Sequence, residues 1–319
     1  MSVELVLAVA AVLVPIVLLL SFAGCASFTA AESPPKPQAG PPLVVEPAQP
    51  PTGPPPTAQP NAPEKYHSMV LGGTELIAYW KLDEVASVSA AEDSNPGVKY
   101  QGTYVGPHAV GAGVLRLGPD ADDAAALFDG AASHVEVPYQ TLLNPASNTN
   151  FSVEAWIAPD AAATAAGRHV IVGSYRLTAA GLLERGFVLE LVGGATPLLR
   201  GRVAPNGLVE TALPPSVGGW YHVVMTYQAA ATTLRLYVNI ATSLQPRATD
   251  ATANFTANRK TTPADTAPAL RIGAGQVEPP TAATPAGLFF AGRTDNVALY
   301  RGLVTASQIR ARFEAAQTS

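Results

Sequence analysis

From Tyr66 to the C-terminus the chain is cut by Gly, Pro, Asn and Asp into short apolar or alternating runs, and this punctuation limits the fold more than any other feature. Runs so short are strands rather than helices. They fall at residues 76–81, 124–128, 134–137, 151–157, 169–175, 187–192, 198–203, 221–227, 233–239, 270–273, 288–291 and 296–300. In 233–239, Leu234, Leu236 and Val238 alternate with Thr233, Arg235 and Tyr237, the period-2 pattern of a half-buried strand. Around His222 both faces carry large apolar groups, as in a central strand covered on both sides. Strands without intervening helices predict an all-β domain over 66–319, built as a two-sheet antiparallel sandwich rather than βαβ units. One short C-terminal helix is expected at 306–315, where Thr305 is a fitting N-cap, Gln308 completes a capping box, and Ile309 and Phe313 share a face. It is expected to seal one edge of the sandwich.

Two segments precede this domain. Residues 5–24 are twenty positions without a charge, and as a helix at ~1.5 Å per residue they span the ~30 Å hydrocarbon core of a bilayer. Segment 1–25 is therefore expected to enter a membrane. Its end, Phe22-Ala23-Gly24-Cys25, resembles a bacterial lipobox, so either Cys25 is a lipid anchor or the hydrophobic N-terminal helix is retained. The first basic residue is Lys36, so charge does not read the orientation. Glu4 ahead of the apolar run raises a third alternative, a pilin-like filament subunit. Segment 26–65 is a Pro-rich linker with 13 prolines in the 30 residues of 34–63. Such a stretch favours polyproline II and extends up to roughly 90 Å, a spacer rather than a ligand for aromatic grooves.

Charge and chemistry then narrow the function. A net charge of -5 with 19 Lys+Arg spread without runs disfavours nucleic acid. The single cysteine, Cys25, precludes an internal disulfide and a Cys-rich metal site. His67, His108, His134, His169 and His222 show no zinc spacing, and Gly173-Ser174 lacks a nucleophile-elbow context. A glycosidase strand presents two carboxylates about 5 Å apart in a retaining enzyme, whereas Glu154 is a lone acid beside Trp156, and no Glu is followed two residues later by Asp. His222, Trp80, Trp156 and Trp220 read as core side chains. Tyr139, Tyr175 and Arg176 lie near strand ends, where they can line a rim; no ligand-binding residue is singled out.

Eight pieces in order carry a resemblance: Asp93-Ser94-Asn95-Pro96-Gly97 with Gly102-Thr103-Tyr104, Leu127-Phe128-Asp129-Gly130, Phe151-Ser152-Val153-Glu154-Ala155-Trp156-Ile157, Gly219-Trp220-Tyr221-His222, Leu234-Arg235-Leu236-Tyr237-Val238-Asn239, Leu270-Arg271-Ile272-Gly273 and Arg293-Thr294-Asp295-Asn296. Together they resemble laminin G-like domains over residues 74–316, which implies a concanavalin A-like jelly roll. Asn239-Ile240 departs from the usual Asn-Gly turn, so a longer loop is expected, and 241–268 reads as a surface excursion, either a partner contact or a tolerated insertion. The resemblance also implies one structural Ca²⁺ held by Asp83, the Gly130 carbonyl and Asp295, with Glu84 able to replace Asp83. The competing expectation is that Asp129 and Asp295 satisfy turn amides.

The combined expectation is a non-catalytic binding module, membrane-anchored and extracytoplasmic at a bacterial-type cell surface, that recognises a glycan or a surface protein. Its rivals are a self-assembling subunit of a filament, coat or envelope assembly and, third, a polysaccharide hydrolase resting on Glu154.

Overall fold

The computed structural model describes residues 62–73, 75–117, 122–214, 216, 219–239, 247–252, 254–260, 268–276 and 286–317, all within the compact unit Thr57–Ser319. The hydrophobic segment, Cys25 and the spacer as far as residue 61 lie outside the described residues. Among the described residues, no helix is long and apolar enough to cross a membrane.

In chain order the helices are α1 (Ala62–Leu71), α2 (Ala161–Ala165) and α3 (Ala306–Ala315). The strands are β1 (Leu76–Trp80), β2 (Ala90–Ala91), β3 (Gly102–Val105), β4 (Ala109–Ala112), β5 (Ala124–Asp129), β6 (His134–Val137), β7 (Phe151–Pro159), β8 (Arg168–Leu177) and β9 (Leu183–Val192). They continue with β10 (Leu198–Val203), β11 (Gly207–Ala212), β12 (Tyr221–Gln228), β13 (Thr233–Asn239), β14 (Arg247–Thr252), β15 (Leu270–Ile272), β16 (Gly275–Gln276), β17 (Ala286–Gly287) and β18 (Ala291–Tyr300). The first sheet runs β14-β13-β12-β7-β18-β5-β4, with β1 also on β18; the second runs β11-β10-β9-β8-β15-β6-β3-β2, and β16 and β17 form a separate ribbon. All the recorded strand pairs are antiparallel, so the architecture is the expected two-sheet jelly roll.

The core between the sheets is made by the inward-facing half of each strand, including Trp80, Phe128, Phe151, Phe187, Leu199, Met225 and Leu236. Strand β10 shows the logic. Leu199, Gly201 and Val203 point inward while Arg200 and Arg202 point out. Gly201 has no side chain because a Cβ there would lie 2.8 Å from Met225 Sδ.

Three features differ from the sequence reading. Helix α3 keeps its capping box, with the Gln308 amide donating to Thr305 Oγ1 at 3.3 Å and the Thr305 amide to Gln308 Oε1 at 2.8 Å. It covers the outer face of the first sheet rather than an edge, because Ile309 and Phe313 join Trp156, Trp220 and Val224 in one apolar cluster. Helix α1 starts inside the stretch assigned to the spacer and lies in the same cluster through Tyr66 and Val70. Its apolar positions 66, 69 and 70 carry the i, i+3, i+4 signal. Residue Leu288 is not in a strand: its φ of 52 is left-handed, and β18 begins only at Ala291.

The described part of 241–268 is also more than a surface excursion. Strand β14 pairs with β13, as a connection longer than a tight turn allows. Phe255 is buried, its ring 5.2 Å from Phe151 and 5.4 Å from Tyr227, and Asn258 donates to Ser174 Oγ at 3.0 Å. Replacing Phe255 by Ala is therefore expected to cost about 3–5 kcal/mol in denaturant unfolding. A loss below about 1 kcal/mol would return the segment to a dispensable insertion.

Candidate functional site

Glu154 leaves β7 on the outer side of the first sheet and is fully buried. Four donors close on it. His222 Nε2 lies 2.8 Å from Oε1, Tyr300 donates its hydroxyl at 3.1 Å, Tyr66 of α1 donates at 3.4 Å, and Arg312 of α3 donates from Nη1 to Oε2. Arg312 also donates to the Met69 carbonyl of α1 at 3.2 Å, and Trp156 donates its indole N–H to Tyr66 Oη at 3.1 Å. Burial by itself pushes the Glu154 carboxyl up, but the Arg312 guanidinium, His222 and Tyr300 outweigh it and hold the pKa at about 2. The same pairing raises Arg312 against its own desolvation. An ionised carboxylate walled in by two helices is neither a general acid nor an accessible nucleophile.

The three calcium candidates do not form one site, because Gly130 stands apart from Asp295. Asp129 of β5 pairs with Ala291 of β18, and Gly130 follows it at the turn. Asp295 lies four residues further along β18, roughly 13 Å at ~3.4 Å per residue, beyond any shared ion with its ~2.3–2.6 Å bonds. Asp83 is exposed while Asp295 is buried. The two oxygens of Asp295 are already engaged: the Val114 amide donates to Oδ2 at 2.9 Å and the Asn296 side chain to Oδ1 at 2.7 Å. Its pKa is raised by burial, then by the neighbouring Asp123 and Asp83 carboxylates. The residues thus do not fit the implied ion, and among the described residues no group of three or more His, Cys, Asp or Glu side chains is arranged to hold a metal. Asp129 instead organises its turn, accepting the amides of Ala131, Ala132 and Ser133, each at 2.9 Å. Burial opposes ionisation there, but these bonds and the Ser133 hydroxyl hold its carboxyl below the usual range.

The outer face of the second sheet is built differently. Val170, Glu190, Arg200 and Glu210 form one cross-strand row over β8, β9, β10 and β11. Glu190 is buried under guanidinium groups: Arg168 donates at 2.8 and 3.2 Å, Arg200 at 3.5 Å, and Arg202 stands 3.8 Å away. Arg200 also donates to Glu210 at 2.5 Å. Leu208, paired with Arg202 across the strands, is 45% exposed. Elsewhere on this face the Leu288 carbonyl accepts the Val170 amide at 2.8 Å, and Arg271 donates to the Gly275 carbonyl at 3.2 Å. That segment buries Tyr175, which accepts the Gln276 amide at 2.9 Å. Arg176 pairs with Glu184 at 3.3 Å, and Tyr139 lies under the Lys260 ammonium at 5.2 Å. The sequence reading missed the arginine row. The alternation in 198–203 placed Arg200 and Arg202 on one face, but nothing local brought Glu190 and Arg168 beside them.

A two-sheet jelly roll with helices over one outer face and charged side chains on the other defines a concanavalin A-like sandwich. The chain belongs to the laminin G-like family Laminin_G_3, described as the concanavalin A-like lectin/glucanases superfamily, which matches residues 129–310. Among solved structures, the binding domain of Paraclostridial Mosquitocidal Protein 1 is 11% identical with a TM-score of 0.50, covering 75% of this chain and 52% of that one. The chain thus spans about half the length of that toxin domain. Domain 4 of AbnA, a GH43 extracellular arabinanase from Geobacillus stearothermophilus in complex with arabinotriose, is 18% identical with a TM-score of 0.42, covering 76% of this chain and 98% of that one. No curated protein matches. At these identities the structural likeness is one of fold.

Replacing Glu154 by Gln leaves Arg312 buried without its counter-charge, and a loss of about 3–5 kcal/mol is expected. The lowered pKa gives the pH sign. A carboxyl at about 2 when folded, against 4.5 when free, adds stability that is full above 4.5 and lost as pH falls toward 2. The difference between wild type and Glu154→Gln should therefore shrink between pH 5 and 2 in melting experiments; an equal gap at both ends would contradict the ionised network.

Proposed function

We propose that this chain is a membrane-tethered, non-catalytic module that binds glycan at an extracytoplasmic surface, using the outer face of its second sheet. The observation that carries the reading is the asymmetry of the sandwich. One outer face is closed by α1 and α3 over Glu154, while the other presents Arg168, Arg200, Arg202 and Glu210 partly exposed. The superfamily takes its name from lectins and glucanases, both directed at glycans, and the sealing of Glu154, the acid the sequence offered for catalysis, supports the lectin half of that choice. The tether rests on the uncharged run at 5–24 and the Pro-rich stretch behind it, which together suit a head held away from a bilayer. A surface-protein partner and self-assembly are the competing outcomes.

The test uses the full-length chain in detergent against a panel of polysaccharides, read by affinity electrophoresis and by release of reducing ends, with fractionation of the expressing bacterium. Retardation by at least one polysaccharide, no new reducing ends and recovery with membranes are expected. Hydrolysis lost in Glu154→Gln, or ordered polymers with no glycan retardation, would overturn the reading.

A further inference from the structure

Resting on the glycan reading above, the geometry points to an acidic glycan, one carrying carboxylate or sulfate groups, as the ligand of the second sheet, with Arg202 as the residue that takes the anionic group. Around the Glu190 row stand three guanidiniums and two carboxylates, an excess of positive charge in a chain whose net charge is -5. Glu190 is satisfied without the third arginine: Arg168 gives it two hydrogen bonds and Arg200, in the row beside it, one more. Arg200 is further committed to Glu210.

Arg202 is different. Its nearest carboxylate oxygen is 3.8 Å away, too far for a hydrogen bond, and it makes none among the described residues. Its side chain is 22% exposed. A guanidinium carries five N–H donors in a flat fork, and the groups that match this fork are carboxylate, sulfate and phosphate, each able to take two parallel bonds. A neutral sugar laid over this position would strip water from the charge and return no counter-charge, which is unfavourable. Directly across the strand, Leu208 offers an exposed apolar side chain for the carbon face of a sugar ring, and the partly exposed Glu210 accepts hydroxyl protons. Nucleic acid fits poorly, because tight binding to a polyphosphate draws on roughly 6–10 phosphate contacts, and this face supplies three arginines.

The test measures binding of the full-length chain in detergent to polygalacturonate, dextran sulfate, uncharged dextran and a single-stranded DNA oligonucleotide. Binding to at least one acidic polysaccharide is expected, with the stronger of the two telling carboxylate from sulfate. Arg202→Gln should weaken that binding about ten-fold and Arg202→Lys should recover only part of it, both melting like the wild type, whereas Arg202→Glu should abolish binding and, by facing the buried Glu190, also lower the melting temperature. Leu208→Ser provides an independent second variant and should weaken binding without changing its salt dependence. Acidic-polysaccharide binding unchanged in Arg202→Gln, or equal binding to DNA, would overturn the assignment. Binding to dextran alone would sink the assignment and leave the glycan reading standing; no binding to any polysaccharide would sink both.

Discussion

The ion pair between Glu154 and Arg312 is the constraint on which the arrangement of faces depends. A carboxylate at the centre of β7 can be buried only if donors replace its water, and those donors come from both terminal helices as well as from the sheet. Arg312 fixes α3, Tyr66 fixes α1, and the Arg312 bond to the Met69 carbonyl joins the helices to each other. Apolar packing completes the seal: Trp156 stacks between His222 at 4.6 Å and Phe313 at 5.7 Å. The residue that most resembled a catalytic acid is thereby the fastener of the fold.

Once one outer face is closed in this way, the other is left with partly exposed charged side chains. Where the second sheet is left open, its outward side chains Arg168, Glu190, Arg200, Arg202 and Glu210 are charged and paired across strands. Pairing in register converts what would be isolated arginines into an ordered row over a buried carboxylate. Part of the same face is closed by the segment that includes Leu288, which narrows the open surface to the side of β9, β10 and β11.

How much of this was legible follows the range of the interactions. Strands 134–137, 198–203 and 233–239 were readable to the residue, and so was the capping box at Thr305, because alternation and caps are local signals. Strand β11 was hidden because Gly207-Leu208-Val209-Glu210-Thr211-Ala212 is short and half polar, and β14 because its Thr and Ala composition resembles a loop. The ligand set Asp83, Gly130 and Asp295 depended on distances along β18 that no local pattern encodes, and the β5 register separates the last two. The arginine row was half visible for the same reason: alternation aligns Arg200 with Arg202, whereas their meeting with Glu190 requires the order of strands.

The most direct measurement is hydrogen–deuterium exchange of the full-length chain with and without a saturating acidic polysaccharide. If the sealed and open faces are as described, ligand should slow exchange in β10 and β11, around residues 198–212, and leave α1 and α3 unchanged. Protection concentrated in residues 62–71 and 306–315, with none at 198–212, would place the ligand over Glu154 and contradict the account.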